Sequence, residues 1–182
     1  MKNMIHKLGH GALMLGLTAF IGGAAMAQSP KLDDAQIAHV GVTANQIDVN
    51  YGKIALGKSK NKDVRRFAET MIKDHEGVIK QASDLAAKLG VKPEDNAMSK
   101  SLKEGEATQT KKFKDLEGAA FDKAYIDNEV AYHEAVINAV KTVLIPQTQN
   151  AELKNLFVSI SPVLDAHLEH AKMVQKEFAS KK

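Results

Sequence analysis

Apolar residues recur at alternating three- and four-residue steps in four long stretches of the chain, the spacing that lines one face of a helix. The pattern is cleanest between Asn61 and Gly90, where the apolar face consists of Val64, Phe67, Met71, His75, Val78, Ala82, Leu85 and Leu89. Asn61 is a suitable N-cap, and Gly90 followed by Pro93 is a suitable end. The pattern predicts a long helix in which His75 is the strongly polar member of the buried face.

Three further stretches, residues 33–57, 121–145 and 151–178, repeat this spacing. The first opens with Asp33 and, three residues later, Gln36, the arrangement of a capping box. We find no stretch with the two-residue alternation of a strand. The sequence therefore predicts an all-α fold.

Prolines and a polar stretch modify this pattern. Pro146 should close the third helix, and Pro162 should kink the fourth helix or split it, with Ser161 capping a second segment. Residues 91–118 are rich in Lys, Glu, Ser and Thr and predict a polar connection with a weak extra helix at about 95–116.

The connections between these stretches indicate how the helices pack. The link between the first two helices is short, so they should be antiparallel neighbours. The long polar connection lets the chain travel between distant positions of the bundle. The predicted fold is an antiparallel four-helix bundle, with the weak extra helix inside that connection.

Three of the four apolar faces contain one histidine each: His75, His133 and His167. Burying imidazoles without polar partners costs on the order of 1–3 kcal/mol each, so each ring needs a polar group, a water or a shared ion. At ~1.5 Å per residue, the heights of His133 and His167 differ by roughly 6 Å, about one turn, so the three rings can converge. The donor set suits zinc, copper or iron.

Carboxylates near these histidines are further candidate ligands. Glu129 lies one turn before His133 on the same side of its helix and is the preferred carboxylate ligand, although it also fits a boundary position facing solvent. Measured along the axis of the bundle, Asp48 is expected to lie roughly 7 Å from the level of His75, which argues against Asp48 as a ligand. Asp74 is rotated by about 100° from His75 and is expected at most as a hydrogen-bond partner of a ligand on a neighbouring helix.

Two other histidines are weaker candidates. His170 lies one turn beyond His167 and fits a half-exposed surface position better than a fourth nitrogen ligand. His39 lies off the apolar face of its helix and is expected at the surface. The predicted metal ligands are therefore His75, His133, His167 and Glu129.

Residues 1–27 have the features of a cleavable export signal. Lys2 and Lys7 give it a positive start, an apolar run of about 15 residues follows, and Ala25-Met26-Ala27 matches an A-x-A cleavage site. This run is shorter than the ~20 residues that span a bilayer. We therefore expect a periplasmic protein that is soluble after cleavage, with residues 28–182 forming a single domain. An uncleaved N-terminal anchor is the alternative.

Composition excludes several classes of function. The chain has 25 Lys and Arg and 22 Asp and Glu, and since two lysines belong to the predicted signal, the remainder carries a net charge of about +1, which predicts no nucleic-acid partner. Cysteine is absent, which excludes thiol catalysis and disulfides. We find no phosphate-binding glycine loop, Gly-x-Ser-x-Gly motif or His-Glu-x-x-His motif.

The order of motifs resembles a known family. The motifs are Gly52-Lys53-Ile54-Ala55, Val64-x-x-Phe67-Ala68-x-x-Met71-Ile72-x-Asp74-His75, Phe121-Asp122-x-x-Tyr125-Ile126 before His133, and Pro162-x-x-x-x-His167-Leu168-x-x-Ala171. Together they resemble the exported domain-of-unknown-function family 4142, often labelled "putative membrane protein". The resemblance implies a ferritin-like four-helix bundle of unestablished function. It places the three histidines on the family's histidine positions, and Asp48 where the family often has Glu.

The sequence departs from metal-oxidising ferritin relatives. Di-iron bundles carry Glu-x-x-His on two helices, whereas Ile72, Val130 and Leu164 stand three residues before the histidines here. The leading hypothesis is a bundle that binds a transition metal through its core histidines. The alternative is a non-enzymatic structural or interaction bundle with hydrogen-bonded histidines and no metal. An oxidoreductase that uses the metal is a third, weaker hypothesis, since no sequence feature predicts a reaction.

Overall fold

The computed structural model of the protein describes residues 31–180. Its helices are α1 (Asp34–Lys58), α2 (Lys62–Leu89), α3 (Ala97–Lys114), α4 (Gly118–Ala139), α5 (Ile145–Gln147) and α6 (Ala151–Ser180), with a π-helical turn, Val140–Leu144, between α4 and α5. The predicted export signal lies outside the described residues. No helix in the described part of the chain combines the length and apolar character needed to cross a membrane.

Four of these helices form the predicted antiparallel bundle. α1 packs on α2, α2 on α6, α6 on α4, and α4 on α1. The link between α1 and α2 is short, and at the opposite end the backbone N–H of Leu32 donates to the Gln147 side chain at 2.7 Å. Each helix of the bundle therefore runs opposite to its two neighbours, which confirms the predicted fold.

The predicted extra helix is α3, and it lies along α1. Asn96, before α3, donates to the backbone carbonyl of Gln36 at 3.1 Å, and farther along Asn50 donates to Glu106 at 2.7 Å. Both helices thus run in the same direction. α3 also buries Phe113 completely, so the polar connection contributes to the core as well as carrying the chain to α4.

Capping side chains define the starts of the helices as expected. Asp33 and Gln36 form the capping box of α1, and the Asn61 side chain accepts from the first turn of α2. Gly90 ends α2 with φ 65°, a left-handed conformation that costs glycine little. These local signals were readable from the sequence because they involve neighbouring residues.

The two prolines act differently from each other. α6 continues through Pro162, and Ser161 donates back to the Phe157 carbonyl at 2.8 Å instead of capping a new segment. Of the two outcomes expected at Pro162, a kink or a split, the split is wrong. The third helix was expected to remain α-helical up to residue 145, but it changes to the π-helical turn after Ala139. A proline ring clashes with the carbonyl four residues earlier, and a wider turn before Pro146 relieves that clash.

Two apolar clusters fill the bundle above and below a polar layer. One cluster includes Ile47, Phe67 and Tyr125, and the other includes Val40 and Phe157. Between them, at intermediate positions on α1, α2, α4 and α6, lie the buried polar residues Asn45, Asp48, His75, Glu129, His133 and His167. The apolar clusters keep this layer away from solvent at both ends of the bundle.

Close packing of α1 on α2 makes Gly52 sensitive to substitution. A Cβ atom at Gly52 would lie 2.8 Å from Ile72 Cγ1 and 3.2 Å from the Ala68 carbonyl oxygen, whereas a Cβ at Gly57 meets no atom within 4 Å. We expect Gly52→Ala to lower the unfolding free energy by about 1–2 kcal/mol, because overpacking outweighs the gain in helix propensity. The matched Gly57→Ala should raise it by about 0.5–1 kcal/mol. Urea unfolding followed by circular dichroism measures both, and a stabilised Gly52→Ala would contradict the packing.

Candidate metal centre

The three core histidines meet in the polar layer. Their ring centroids are 5.7 Å apart for His75 and His133, 5.1 Å for His75 and His167, and 5.6 Å for His133 and His167. All three side chains are buried. The predicted convergence is confirmed, and we call these three residues the histidine cluster.

Hydrogen bonds fix the orientation of the rings on α2 and α4. His75 Nδ1 lies 2.7 Å from Asn45 Oδ1, and because the Asn45 amide nitrogen donates to the Gly41 carbonyl, its oxygen faces the ring and Nδ1 must donate. His133 Nδ1 lies 3.0 Å from the backbone oxygen of Glu129, which accepts only. Both rings therefore carry their proton on Nδ1, leaving Nε2 with a free lone pair.

The ring on α6 has the opposite tautomer. His167 Nε2 lies 3.1 Å from Asp74 Oδ2 and donates to that carboxylate, which confirms Asp74 as a hydrogen-bond partner on a neighbouring helix. Within the histidine cluster, the second nitrogen of each ring is buried and has no hydrogen-bond partner among the described residues; these atoms are His75 Nε2, His133 Nε2 and His167 Nδ1. Each ring is thus held by one nitrogen and has the other available as a ligand, the usual arrangement of metal-binding histidines.

Two carboxylates, Asp48 and Glu129, complete the polar layer, and we call them the carboxylate pair. Asp48 is 1% exposed and Glu129 is 0% exposed, and none of their four side-chain oxygens has a hydrogen-bond partner within residues 31–180. Asp48 Oδ2 lies 3.3 Å from His75 Nε2 and 3.5 Å from His133 Nε2. Glu129 Oε2 lies 3.6 Å from His133 Nδ1.

These donors form two overlapping groups. The first group consists of one ring nitrogen from each member of the histidine cluster, and these three nitrogens all lie within 4.8 Å of one another. The second group consists of one ligand atom each from Asp48, Glu129 and His133, and these three atoms also lie within 4.8 Å of one another. An ion bound at about 2.0 Å by two imidazole nitrogens holds them at most about 4 Å apart, so small side-chain shifts suffice to close the cluster on one ion.

Burial keeps the histidines neutral. It lowers the pKa of His75 to about 2, with a further contribution from His133 and His167, and it lowers the pKa of His133 to about 4. Burial also lowers the pKa of His167, although the hydrogen bond to Asp74 acts in the opposite direction. The imidazole lone pairs are therefore available to an ion well below the usual pKa of histidine.

Burial has the opposite effect on the carboxylate pair. It raises the pKa of Asp48 to about 8, and it raises the pKa of Glu129 well above its usual value, helped by the charge of Asp48. Without an ion, Asp48 thus holds a proton near neutral pH. A cation would favour the ionised carboxylates and displace that proton.

A cavity of about 290 Å³ lies beside the polar layer. Asp48, His75 and His133 contribute to its wall, which otherwise consists mainly of apolar side chains from α1, α3, α4 and α6. Ser101 on α3 and Ala135 on α4 also line it and are exposed. The cavity therefore connects the site with the surface between α3 and α4.

The expectation that Asp48 lies away from the cluster is wrong. That estimate compared backbone heights alone, but side chains on a helix lean toward its N-terminus. Since α1 and α2 are antiparallel, Asp48 and His75 lean toward each other and their side chains meet. Asn45 was missed altogether, and the available signal was its position beside the apolar face of α1.

The remaining candidates are resolved by burial. Glu129 is fully buried, so its alternative placement facing solvent is wrong. His170 is half-buried, with its ring centroid 5.1 Å from that of Phe67, and His39 lies 3.7 Å from Asp95. Neither of these two histidines belongs to the two groups of donors found in the described part of the chain.

The sequence matches the family described as Domain of unknown function (DUF4142) over residues 22–174. The chain belongs to this family. The match includes every member of the histidine cluster and of the carboxylate pair. No curated protein matches the sequence at a significant level.

Among solved structures, the chain is similar to the one titled "CopM in the Cu(II)-bound form". The TM-score is 0.62 at 14% sequence identity, and the alignment covers 82% of this chain and 99% of that chain. At this identity the likeness shows a shared helical fold.

Proposed function

We propose that this member of the DUF4142 family binds a divalent transition-metal ion in the core of its bundle. The histidine cluster supplies three nitrogen ligands, and Asp48 supplies an oxygen. The observation that carries the proposal is the orientation of the rings: in each one a nitrogen is fixed by a hydrogen bond, and the other is buried without a partner. Three buried lone pairs without partners are unfavourable unless something occupies the space between them.

The donor set favours copper, zinc or iron over hard cations. Imidazole suits all three metals, and Cu(II) is bound most strongly of the divalent series by a given site of this kind. The similar fold of CopM in its Cu(II)-bound form supports copper as the first ion to test. Asp48 and Glu129 would balance the two positive charges, so that the occupied core is neutral overall.

Binding, and not catalysis, is the function that this geometry supports. The alternative of a structural bundle without metal accounts for the three hydrogen-bonded ring nitrogens, and a protonated Asp48 can share its proton with His75 Nε2 at 3.3 Å. It still leaves His167 Nδ1 and both Glu129 oxygens buried without hydrogen-bond partners among the described residues. Periplasmic export stays a prediction from residues 1–27.

The proposal is tested by metal content. The protein, purified without a histidine tag, stripped with chelator and supplied with Cu(II), Zn(II) or Fe(II), should retain one ion per chain after gel filtration. Replacing both His75 and His133 by Ala should weaken binding by at least about 100-fold, since two of three nitrogen ligands are lost. Elemental analysis and competition with a chelator of known affinity measure the two quantities.

The matched control is His39→Ala, which removes a histidine outside the cluster and should leave metal content unchanged. Circular dichroism checks that each variant keeps its helices. If the wild type retains no ion, or if the double variant retains as much as the wild type, the structural bundle without a core metal is the better description.

A further inference from the structure

The cavity beside the site has the size of a small-molecule pocket. Engineered apolar cavities of roughly 150 Å³ bind benzene, so one of about 290 Å³ suits a molecule of roughly ten to fourteen non-hydrogen atoms. Protein interiors are otherwise packed without voids of this size. Because the cavity lies between helices and reaches the surface, a molecule can enter it without unfolding the bundle.

The polar groups in its wall are mostly already used. The Tyr132 hydroxyl donates to the Ala44 carbonyl at 2.9 Å, and both ends of the Asn45 amide bond protein atoms. The buried polar atoms of the wall that have no partner among the described residues belong to Asp48, His75 and His133. A bound molecule would therefore meet polar atoms at the site and apolar side chains elsewhere.

Charge decides what kind of polar group this molecule carries. If the proposed function holds, the ion and the carboxylate pair neutralise each other, so an anionic group would add an uncompensated buried charge and a cationic group would lie against the ion. A neutral hydroxyl group avoids both costs. Its oxygen can coordinate the ion, and its proton can be donated to an Asp48 oxygen.

We propose that the cavity binds a neutral, mainly apolar molecule with one hydroxyl group, oriented so that the hydroxyl faces the metal centre. The apolar wall favours an aromatic or aliphatic body, and the unpartnered site atoms favour the hydroxyl end. The inference rests on the proposed function for the contact between the hydroxyl and the ion. The size and apolar character of the pocket do not depend on the ion.

The test uses 4-butylphenol as the probe, with copper-loaded and metal-free protein measured in parallel by titration calorimetry. The copper-loaded protein should bind 4-butylphenol at least tenfold more tightly than butylbenzene, which lacks the hydroxyl, or 4-butylbenzoate, which is charged. Coordination of the neutral phenol oxygen should shift the weak visible d–d band of Cu(II), whereas a new intense charge-transfer band would show that the probe binds as the phenolate and would overturn the choice of a neutral ligand.

Substitutions locate the binding site. Ala139 lines the cavity, and Ala139→Leu should weaken binding of 4-butylphenol at least tenfold because it fills the space. Ala131, exposed on the same helix and outside the cavity wall, provides the control Ala131→Leu, which should bind like the wild type. Val136→Phe is the second cavity variant if Ala139→Leu loses helical structure.

The outcomes separate the two proposals. If the protein does not retain copper, the proposed function is overturned. The cavity is then judged from the metal-free protein, in which binding of 4-butylphenol that is weakened by Ala139→Leu supports a pocket for apolar molecules. If the protein retains copper but does not bind 4-butylphenol, or if Ala139→Leu binds 4-butylphenol as tightly as the wild type, only the inference about the cavity is overturned. Equal affinity for 4-butylphenol and 4-butylbenzoate in the copper-loaded protein overturns the choice of a neutral ligand.

Discussion

Between pH 6.5 and pH 8, the metal-free protein should lose about 2 kcal/mol of unfolding free energy through Asp48 alone. Burial raises the pKa of this carboxyl group from 3.8 to about 8, so the folded protein keeps a proton that the unfolded chain has already released. A raised folded pKa stabilises the protein below the unfolded pKa, and this stability is lost as the pH rises toward 8. The pKa of Glu129 is raised in the same direction, so it should add to the loss.

The histidines determine how the unfolding free energy changes below pH 6.5. Because burial lowers the pKa of His75 to about 2 and of His133 to about 4, they are neutral in the folded protein, and in the unfolded chain they become mostly neutral as the pH rises above 6.5. Below that pH the unfolded chain takes up protons that the folded protein excludes, and stability falls again. Stability should therefore be greatest near pH 6.5 in the absence of metal.

Urea unfolding in the presence of chelator, repeated at half-unit steps from pH 6.5 to pH 8, measures this slope. Asp48→Asn should flatten it, since a neutral amide has no proton to lose. Asp84→Asn, which changes an exposed carboxylate paired with Lys80, is the control and should keep the wild-type slope. An unchanged slope in Asp48→Asn would show that Asp48 is ionised in the folded protein. In the wild type, Cu(II) should bind more tightly as the pH rises toward 8, because the ion competes with the same proton.

Saturating Cu(II) should raise the midpoint of thermal unfolding by roughly 8–16 °C. An ion at 1,000 times its dissociation constant stabilises the folded state by about 4.1 kcal/mol, and each kcal/mol raises the midpoint by about 2–4 °C in a chain of this size. The large effect follows because the ligands come from α1, α2, α4 and α6 and meet only in the folded bundle. Differential scanning calorimetry at pH 7 with and without Cu(II) measures the shift.

The shift should disappear when the ligands are removed. His75→Ala combined with His133→Ala should give the same midpoint with and without the ion. His170→Ala, which changes a half-buried histidine outside the cluster, should keep most of the wild-type shift. A shift of equal size in the double variant would place the stabilising ion elsewhere on the protein.

Much of the fold was predictable because its determinants are local. The apolar face of α2 depends on a three- and four-residue spacing, and the caps at Asp33, Asn61 and Gly90 depend on adjacent residues. The convergence of the histidines was also predictable, since helix rise and short connections fix approximate heights in an antiparallel bundle. The π-helical turn before Pro146 was missed because the spacing gave no sign of one extra residue in a turn.

The chemistry of the site was less predictable than its position. Whether His75 presents Nδ1 or Nε2 depends on Asn45, thirty positions away in the chain, and the tautomer of His167 depends on Asp74 across a helix interface. The role of Asp48 depends on the direction in which side chains lean, which a comparison of backbone heights ignores. The sequence pattern predicted which histidines form the site. The residues that orient these histidines could not be predicted, because they are distant from them in the chain and meet them only in the folded bundle.

The helices that contribute donors to the core run from Asp34 to Ser180, in a chain that has no cysteine. An ion held there would act as a reversible cross-link between four helices, the role that disulfides have in many other small proteins. Unlike a disulfide, this cross-link would weaken whenever the surrounding concentration of the ion fell. Since proteases degrade chains that unfold more often, the lifetime of the protein in its compartment would then follow the supply of the metal.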